Sequence, residues 1–418
     1  MNIMQKQIAV FLILAILLIA GCTSPDAKHQ LNDSGATLKK VQSLVNGQNT
    51  FAFNLYGKIA DDPQNLEKNV FFSPYSIATA LSMVYEGARG VTADEMQNML
   101  YLPVDANERL SATARIYNQL NKSDKQYILN TANALWTQKD YLFLDSYLST
   151  VKNYYGGSAT NVDFVRNGSD AVRQINSWAA QNTNNRIPQV LDEKMDTSAL
   201  RLVLTNAIYF KGKWEKEFKK EATYPQAFYK NNGSEIQAPF MHKQEKLKYA
   251  DTNDYEILEI PYEGKELSMI ILLPKKDAPQ EKKQAISQSD ANELIEGMYS
   301  TTVNVSLPKF TFRTHYDLGK TLEQLGMILA FSDVADFSGM DGKKDLAVSF
   351  VLHDTFVEVN EEGTEAAAVT TIGIVATSVG PPRDVVDFVA DHPFIFIIRD
   401  NTTGAFLFMG KVNDPVLQ

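Results

Sequence analysis

From Leu200 onward the chain carries six runs rich in β-branched, aromatic and aliphatic residues. They are LRLVLTNAIYF (200–210), LSMIILLP (267–274), TVNVSLPKF (302–310), LAVSFVLHDTFVEVN (346–360), PFIFIIRD (393–400) and GAFLFMGKV (404–412). Such side chains are stiff at χ1 and suit a pleated, half-buried surface, so each run predicts a strand. Between Ile398 and Phe406 the sequence RDNTTGA predicts a hairpin turn. Helical spacing belongs to the earlier part: Val41, Leu44, Val45, then Phe51, Phe53, Leu55 and Ile59, and again SIATALSMVYEGARGVTADEMQNML (76–100). Ser73 before Pro74 predicts a helix start, Thr92 with Glu95 predicts a capping box, and a further helix is expected over Ala171 to Gln181. Helices first and strands afterwards predict an α+β fold with large, mostly antiparallel sheets.

At 418 residues the length allows two or three domains or one large one. After about residue 41 there is no composition shift, no Pro/Ser-rich linker and no internal repeat, so residues 41–418 read as a single domain. Hydrophobic residues at 44% and charged residues at 22% exclude a disordered or collagenous chain. A net charge of −10 argues against nucleic acid as a partner.

The single cysteine, Cys22, excludes disulfide frameworks and thiolate metal sites. It closes a segment that runs apolar from Ile8 to Ala20 after Lys6 and ends Ile19-Ala20-Gly21-Cys22. Residues 1–21 read as a secretory signal whose apolar core is too short to span a bilayer. Small residues directly before a cysteine resemble the lipobox of prokaryotic lipoproteins. The mature chain is therefore expected outside the cytoplasm, held to the membrane by lipid on Cys22 or secreted, with polar residues 22–40 as a tether.

Motifs for catalysis are absent: no G-x-S-x-G elbow, H-E-x-x-H, Walker loop or G-x-G-x-x-G occurs. The five histidines are scattered, and His353 lies within a strand run, where a satisfied buried imidazole is expected. Neither a metal site nor a cofactor is expected, and Asp333, Asp336, Asp341 and Asp345 read as a solvated loop.

One segment breaks the local rules. Gly363 to Gly380 reads GTEAAAVTTIGIVATSVG, with one charge, no aromatic residue and no proline, between a strand and Pro381-Pro382. Surface loops are richer in Asn, Asp, Pro and Ser. In a strand, Thr364, Ala366, Ala368, Thr370, Ile372 and Ile374 would share one face, and Glu365 would lie on the other with Ala367 and Val369. The segment could thus enter a sheet as a central strand; composition alone equally allows a permanently paired edge strand or an Ala/Thr linker.

Five blocks, in this order, resemble the serpin family across residues 41–415: NVFFSPYSIATALSMVYEGARG (69–90), LTNAIYFKGKWEKEF (204–218), VSLPKF (305–310), FVEVNEEGTEAAA (356–368) and FVADHPFIFIIRDNTTGAFLFMGKVNDP (388–415). The resemblance implies three sheets, about nine helices and an exposed reactive loop that a protease attacks. It implies a covalent acyl-enzyme with a serine protease, followed by insertion of the cleaved loop into the main sheet, in a monomer that is not itself an enzyme. Glu361, Glu362 and Gly363 match the family's hinge, and Thr364, Glu365, Ala366, Ala367 and Ala368 its insertion start. Ser73, Ser76, Asn206 and His353 match the cluster beneath the parting sheet, and Trp214 the tryptophan at its entrance. The family spacing puts the reactive bond at Thr377-Ser378, with Val375 and Ala376 as register alternatives. All four are small, which implies an elastase-like or subtilisin-like target. Thr364→Arg is expected to bury a charge on insertion and turn inhibitor into substrate. A binding protein on the same fold, without trapping, is the alternative.

Overall fold

The computed structural model describes residues 30–122, 124–279, 286–364 and 385–417; the fold is that of the unit Leu31–Gln418. Cys22, Glu365, Ala366, Ala367, Ala368 and the reactive-bond candidates Val375, Ala376, Thr377 and Ser378 lie outside the described residues.

Residues 31–40, expected as tether, belong to the fold. Leu31 is buried and exchanges two hydrogen bonds with the Asn118 side chain. Helix α1 (Leu38–Ala60) opens on Thr37, whose Oγ1 accepts from the Lys40 N–H. One buried leucine among polar neighbours carries no periodicity, so the sequence placed this boundary too late.

Strand β1 (Val70–Phe72) leads into α2 (Pro74–Gly87), capped by Ser73, whose Oγ accepts from the Ser76 N–H, with Pro74 in the first turn. Helix α3 (Gly90–Leu100) starts before the expected capping box. Thr92 Oγ1 instead accepts from the Asp336 N–H, and Glu95 from the Ile328 and Leu329 N–H groups. These two side chains tie the helix to a distant segment rather than to its own end. Then come α4 (Ala106–Leu120), β2 (Tyr127–Gln138), α5 (Asp145–Thr150), β3 (Ser158–Val162) and α6 (Gly168–Asn182).

Strands dominate thereafter: β4 (Leu202–Lys213), β5 (Thr223–Tyr229), β6 (Glu235–Asp251), β7 (Tyr255–Pro261) and β8 (Leu267–Pro274). After α7 (Gln288–Glu296), the run at 302–310 is divided at Lys309 between β9 (Tyr299–Pro308) and β10 (Phe310–Asp317). Helices α8 (Gly319–Gln324) and α9 (Ser338–Asp341) precede β11 (Val348–Asn360), β12 (Gly363–Thr364), β13 (Val385–Val389), β14 (Phe394–Asp400) and β15 (Phe406–Val412). Asp400 closes the predicted hairpin: its N–H donates to the Ala405 carbonyl and its carboxylate accepts from Thr402, Thr403 and the Thr403 hydroxyl.

The three sheets implied by resemblance are hydrogen-bonded here as two. The 17-residue strand β6 pairs with β5, β9 and β7 in turn and so carries one sheet into the next. The second sheet runs β10-β11-β12-β4-β2-β3 and is buried on both faces along its central strand β4. Inside lies the main core, where Phe71 stacks on Phe396 and Phe408; outside, Val203, Leu352, Trp136 and Phe164 pack beneath Val172 and Ile175 of α6. Two buried faces explain the near-continuous apolar run of β4.

Candidate functional site

The six-stranded sheet is forked. Along its lower part β4 and β11 are direct parallel neighbours, from Val348 opposite Leu202 to Asp354 opposite Ala207. Above that they separate, and the two residues of β12 lie between them, antiparallel to both. Thr364 faces Val359 on one side and Gly212 on the other; Gly363 faces Asn360 and Lys213. Val359 and Gly212 are 147 positions apart, as are His353 and Asn206 in the closed part. An antiparallel strand continued from Thr364 would therefore stay in register down the seam as far as Phe350 opposite Val203, below which the pairing slips by one at Val348.

The chain reaches this position through a tight hinge. The Asn360 side chain accepts from the Glu362 and Gly363 N–H groups, and Gly363 adopts φ +155°. A Cβ there would stand 2.0 Å from the Gly212 carbonyl oxygen, so only glycine fits. The Trp214 and Phe218 N–H groups donate to the carbonyls of Glu362 and Glu361, and Trp214 Nε1 donates to that of Asn360 at 3.0 Å. Trp214 stacks on Tyr262 with ring centres 4.7 Å apart, and the Tyr262 hydroxyl meets Thr364 Oγ1 at 2.7 Å. Burial raises the Glu361 carboxyl, but Lys309 at 2.9 Å and the Thr223 hydroxyl at 2.8 Å outweigh it and hold it below its ordinary value. Glu362 pairs with Lys220 at 2.9 Å.

Ser73, Ser76, Asn206 and His353 meet beneath the closed seam. The Ser73 N–H donates to His353 Nε2 at 3.0 Å, which leaves the ring proton on Nδ1 to donate to Asn206 Oδ1 at 2.7 Å. Asn206 Nδ2 then donates to Ser76 Oγ and Asn133 Oδ1. Burial pushes the imidazole down to about 3, so it stays neutral, and both its nitrogens are satisfied. The chain of bonds runs from α2 through β11 and β4 to β2 and crosses the line along which the sheet would part.

Trp214, Glu361 and Gly363 sit instead at the upper end of the fork. Sequence reasoning missed Asn133 and Tyr262, which lie in segments with no motif, and did not single out Phe218 and Lys309 inside the blocks 204–218 and 305–310. It also missed Asp354, fully buried on the opposite sheet face against Arg313 at 2.7 Å and His315 at 2.9 Å. One expectation changes: Thr364 is already 2% exposed, so Thr364→Arg would perturb the uncleaved protein and cannot isolate insertion.

The sheet thus holds a parallel pair kept apart at one end by the first two residues of an antiparallel strand. The family pattern described as "Serpin (serine protease inhibitor)" matches residues 46–415. An uncharacterized serpin-like protein of Thermococcus kodakarensis is 39% identical over 94% of this chain and 90% of its own length. The leukocyte elastase inhibitor of Xenopus tropicalis is 40% identical over 90% of this chain and all of its own. Among solved structures, human thyroxine-binding globulin superposes with a TM-score of 0.80 at 28% identity, covering 91% of this chain and 100% of that one. The chain belongs to the serpin family and, as a member of a family of inhibitors, is not an enzyme.

Proposed function

We propose that this serpin traps serine endopeptidases covalently and prefers those that accept small side chains. The observation that carries this reading is the shared register of the open and closed parts of the seam, with Thr364 already seated at the fork.

The target's serine oxygen attacks the Thr377 carbonyl carbon and the Thr377–Ser378 bond breaks. The serine proton passes through the protease's own base to the Ser378 amine, and an ester joins enzyme to loop. Cleavage frees the loop from β13. Continued from Thr364, the strand meets Val357 and Phe210 at Ala366, and His353 and Asn206 at Thr370, with Glu365 on the other face. Each net ladder bond gained is worth about 1 kcal/mol. Small, proline-free side chains on the inward face let insertion outpace hydrolysis of the ester. The likeness to a leukocyte elastase inhibitor and the small residues 375–378 both favour an elastase-like or subtilisin-like target. Lipid on Cys22 would hold this activity at the outer face of a membrane, and Cys22→Ala should release the protein from the membrane fraction.

Incubation of the mature protein with pancreatic elastase and with subtilisin tests the reading. An SDS-stable adduct is expected, together with a released peptide whose mass begins at Ser378. Cleavage in the loop without adduct by either enzyme would reject trapping.

A further inference from the structure

The chain is acidic overall, but the stretch from the end of β4 through β6 is not. Between Lys211 and Lys248 there are nine lysines, five glutamates and no arginine or aspartate, a surplus of four positive charges in a protein of net −10. The structure sets five of these lysines beside the two stems of the loop. At the amino-terminal stem, Lys213 is the cross-strand neighbour of Gly363, and Lys220 reaches Glu362. At the carboxy-terminal stem, Lys246 on β6 faces Thr302 on β9, which faces Val385, the first described residue after the loop. Two strand spacings separate Lys246 from Val385, about 10 Å. Lys216 lies between the stems, its carbonyl accepting from Lys243 Nζ at 2.8 Å.

Part of the acidic complement of this belt is spent. Glu245 is buried between Lys243 at 2.9 Å and Lys216 at 3.5 Å, and Glu361 and Glu362 are buried at the hinge. Glu217, Glu221 and Glu235 are exposed, as is Asp387 on β13. Against them, Lys219 and Lys246 are exposed and form no ion pair among the described residues, while Lys216 and Lys220 remain 69% and 57% exposed despite theirs.

We infer that the lysine belt around the loop stems is a docking surface for the target protease and that the target presents an acidic surface beside its active-site cleft. The inference rests on the inhibitor reading and names the partner's charge. The belt steers the encounter and takes no part in insertion. Unlike charges that bracket a binding site raise association rates by about ten- to a thousandfold at low salt, and screening removes the gain.

The test uses the full mature chain, a Lys219→Glu/Lys246→Glu variant, and two serine proteases of small-residue specificity, one acidic and one basic. Each protease is used active and as its inert Ser→Ala form. Association with the inert forms is followed by surface plasmon resonance, and adduct formation with the active forms by stopped flow, from low to high salt. The acidic protease should associate faster than the basic one at low salt and slow as salt rises. The double variant should lose roughly tenfold of that rate at low salt and match the wild type at high salt, with an unchanged fraction of protease trapped. Salt-independent association, equal rates for wild type and variant, failure of the inert forms to bind, or a fall in the trapped fraction would each overturn the belt. Salt-dependent, lysine-dependent binding of the inert acidic protease without any adduct would uphold the belt and reject trapping.

Discussion

Two histidines on neighbouring strands respond to pH in opposite senses because their surroundings differ. His353 is buried neutral, its folded-state value pushed from 6.5 to about 3 by desolvation. Between those limits the unfolded chain binds a proton that the folded one refuses, so native stability falls as the pH drops, by at most about 1.4 kcal/mol per unit. His315 is raised, chiefly by its hydrogen bond to Asp354; its contribution is full below 6.5 and is lost as the pH rises through its folded value. Urea midpoints measured from pH 7 to 4 should therefore fall less steeply for His353→Gln than for wild type, and more steeply for His315→Gln. Carboxylates such as Glu361 titrate in all three proteins and drop out of the differences. Gly363 yields a second expectation. Its φ of +155° and the 2.0 Å approach to Gly212 mean that Gly363→Ala should destabilise the uncleaved form by about 1–3 kcal/mol, read as a lowered urea midpoint.

At the scale of elements, parity along the incoming strand separates harmless substitutions from blocking ones. Thr364 is buried against Tyr262 on the core side, and residues two, four and six further on share that face. Ala366→Arg would bury a charge against Phe210 and Val357, whereas Ala367→Arg would turn it outward. The first should be cleaved as a substrate with little adduct, and the second should retain most of its adduct on a denaturing gel; equal yields would contradict the alternation. The strand runs from Leu200 onward were legible because two buried faces write nearly unbroken apolar sequence into β4, β8 and β14. The long β6 was not legible: its exposed lysines and glutamines interrupt the apolar residues, and its burial changes character where it passes from β5 to β9 and β7. The failed capping box at Thr92 and Glu95 has the same kind of cause, since the local pattern was correct in type but its hydrogen bonds are spent on residues more than two hundred positions away.

For the whole molecule, the proposed insertion would part the six register pairs between β4 and β11 and replace them with a longer set of ladder bonds on both sides of a new strand. The nicked protein should therefore melt well above the uncleaved one in a calorimetric scan, and identical melting temperatures would mean that no strand is taken up. By itself the sequence determined the strand-rich fold, the cap at Ser73 and the small, alternating composition after Gly363, because these depend on local sterics and on periodicity; the hinge at Gly363 came from the family resemblance. The family resemblance had grouped Asn206 with His353, but only tertiary structure decided how they hydrogen-bond across a seam, that Asn133 and Tyr262 belong to the two ends of the site, that Thr364 is already seated, and that lysines flank both loop stems. Those facts depend on which strands become neighbours and in what register, and a one-dimensional pattern does not carry the pairing of residues a hundred or more positions apart.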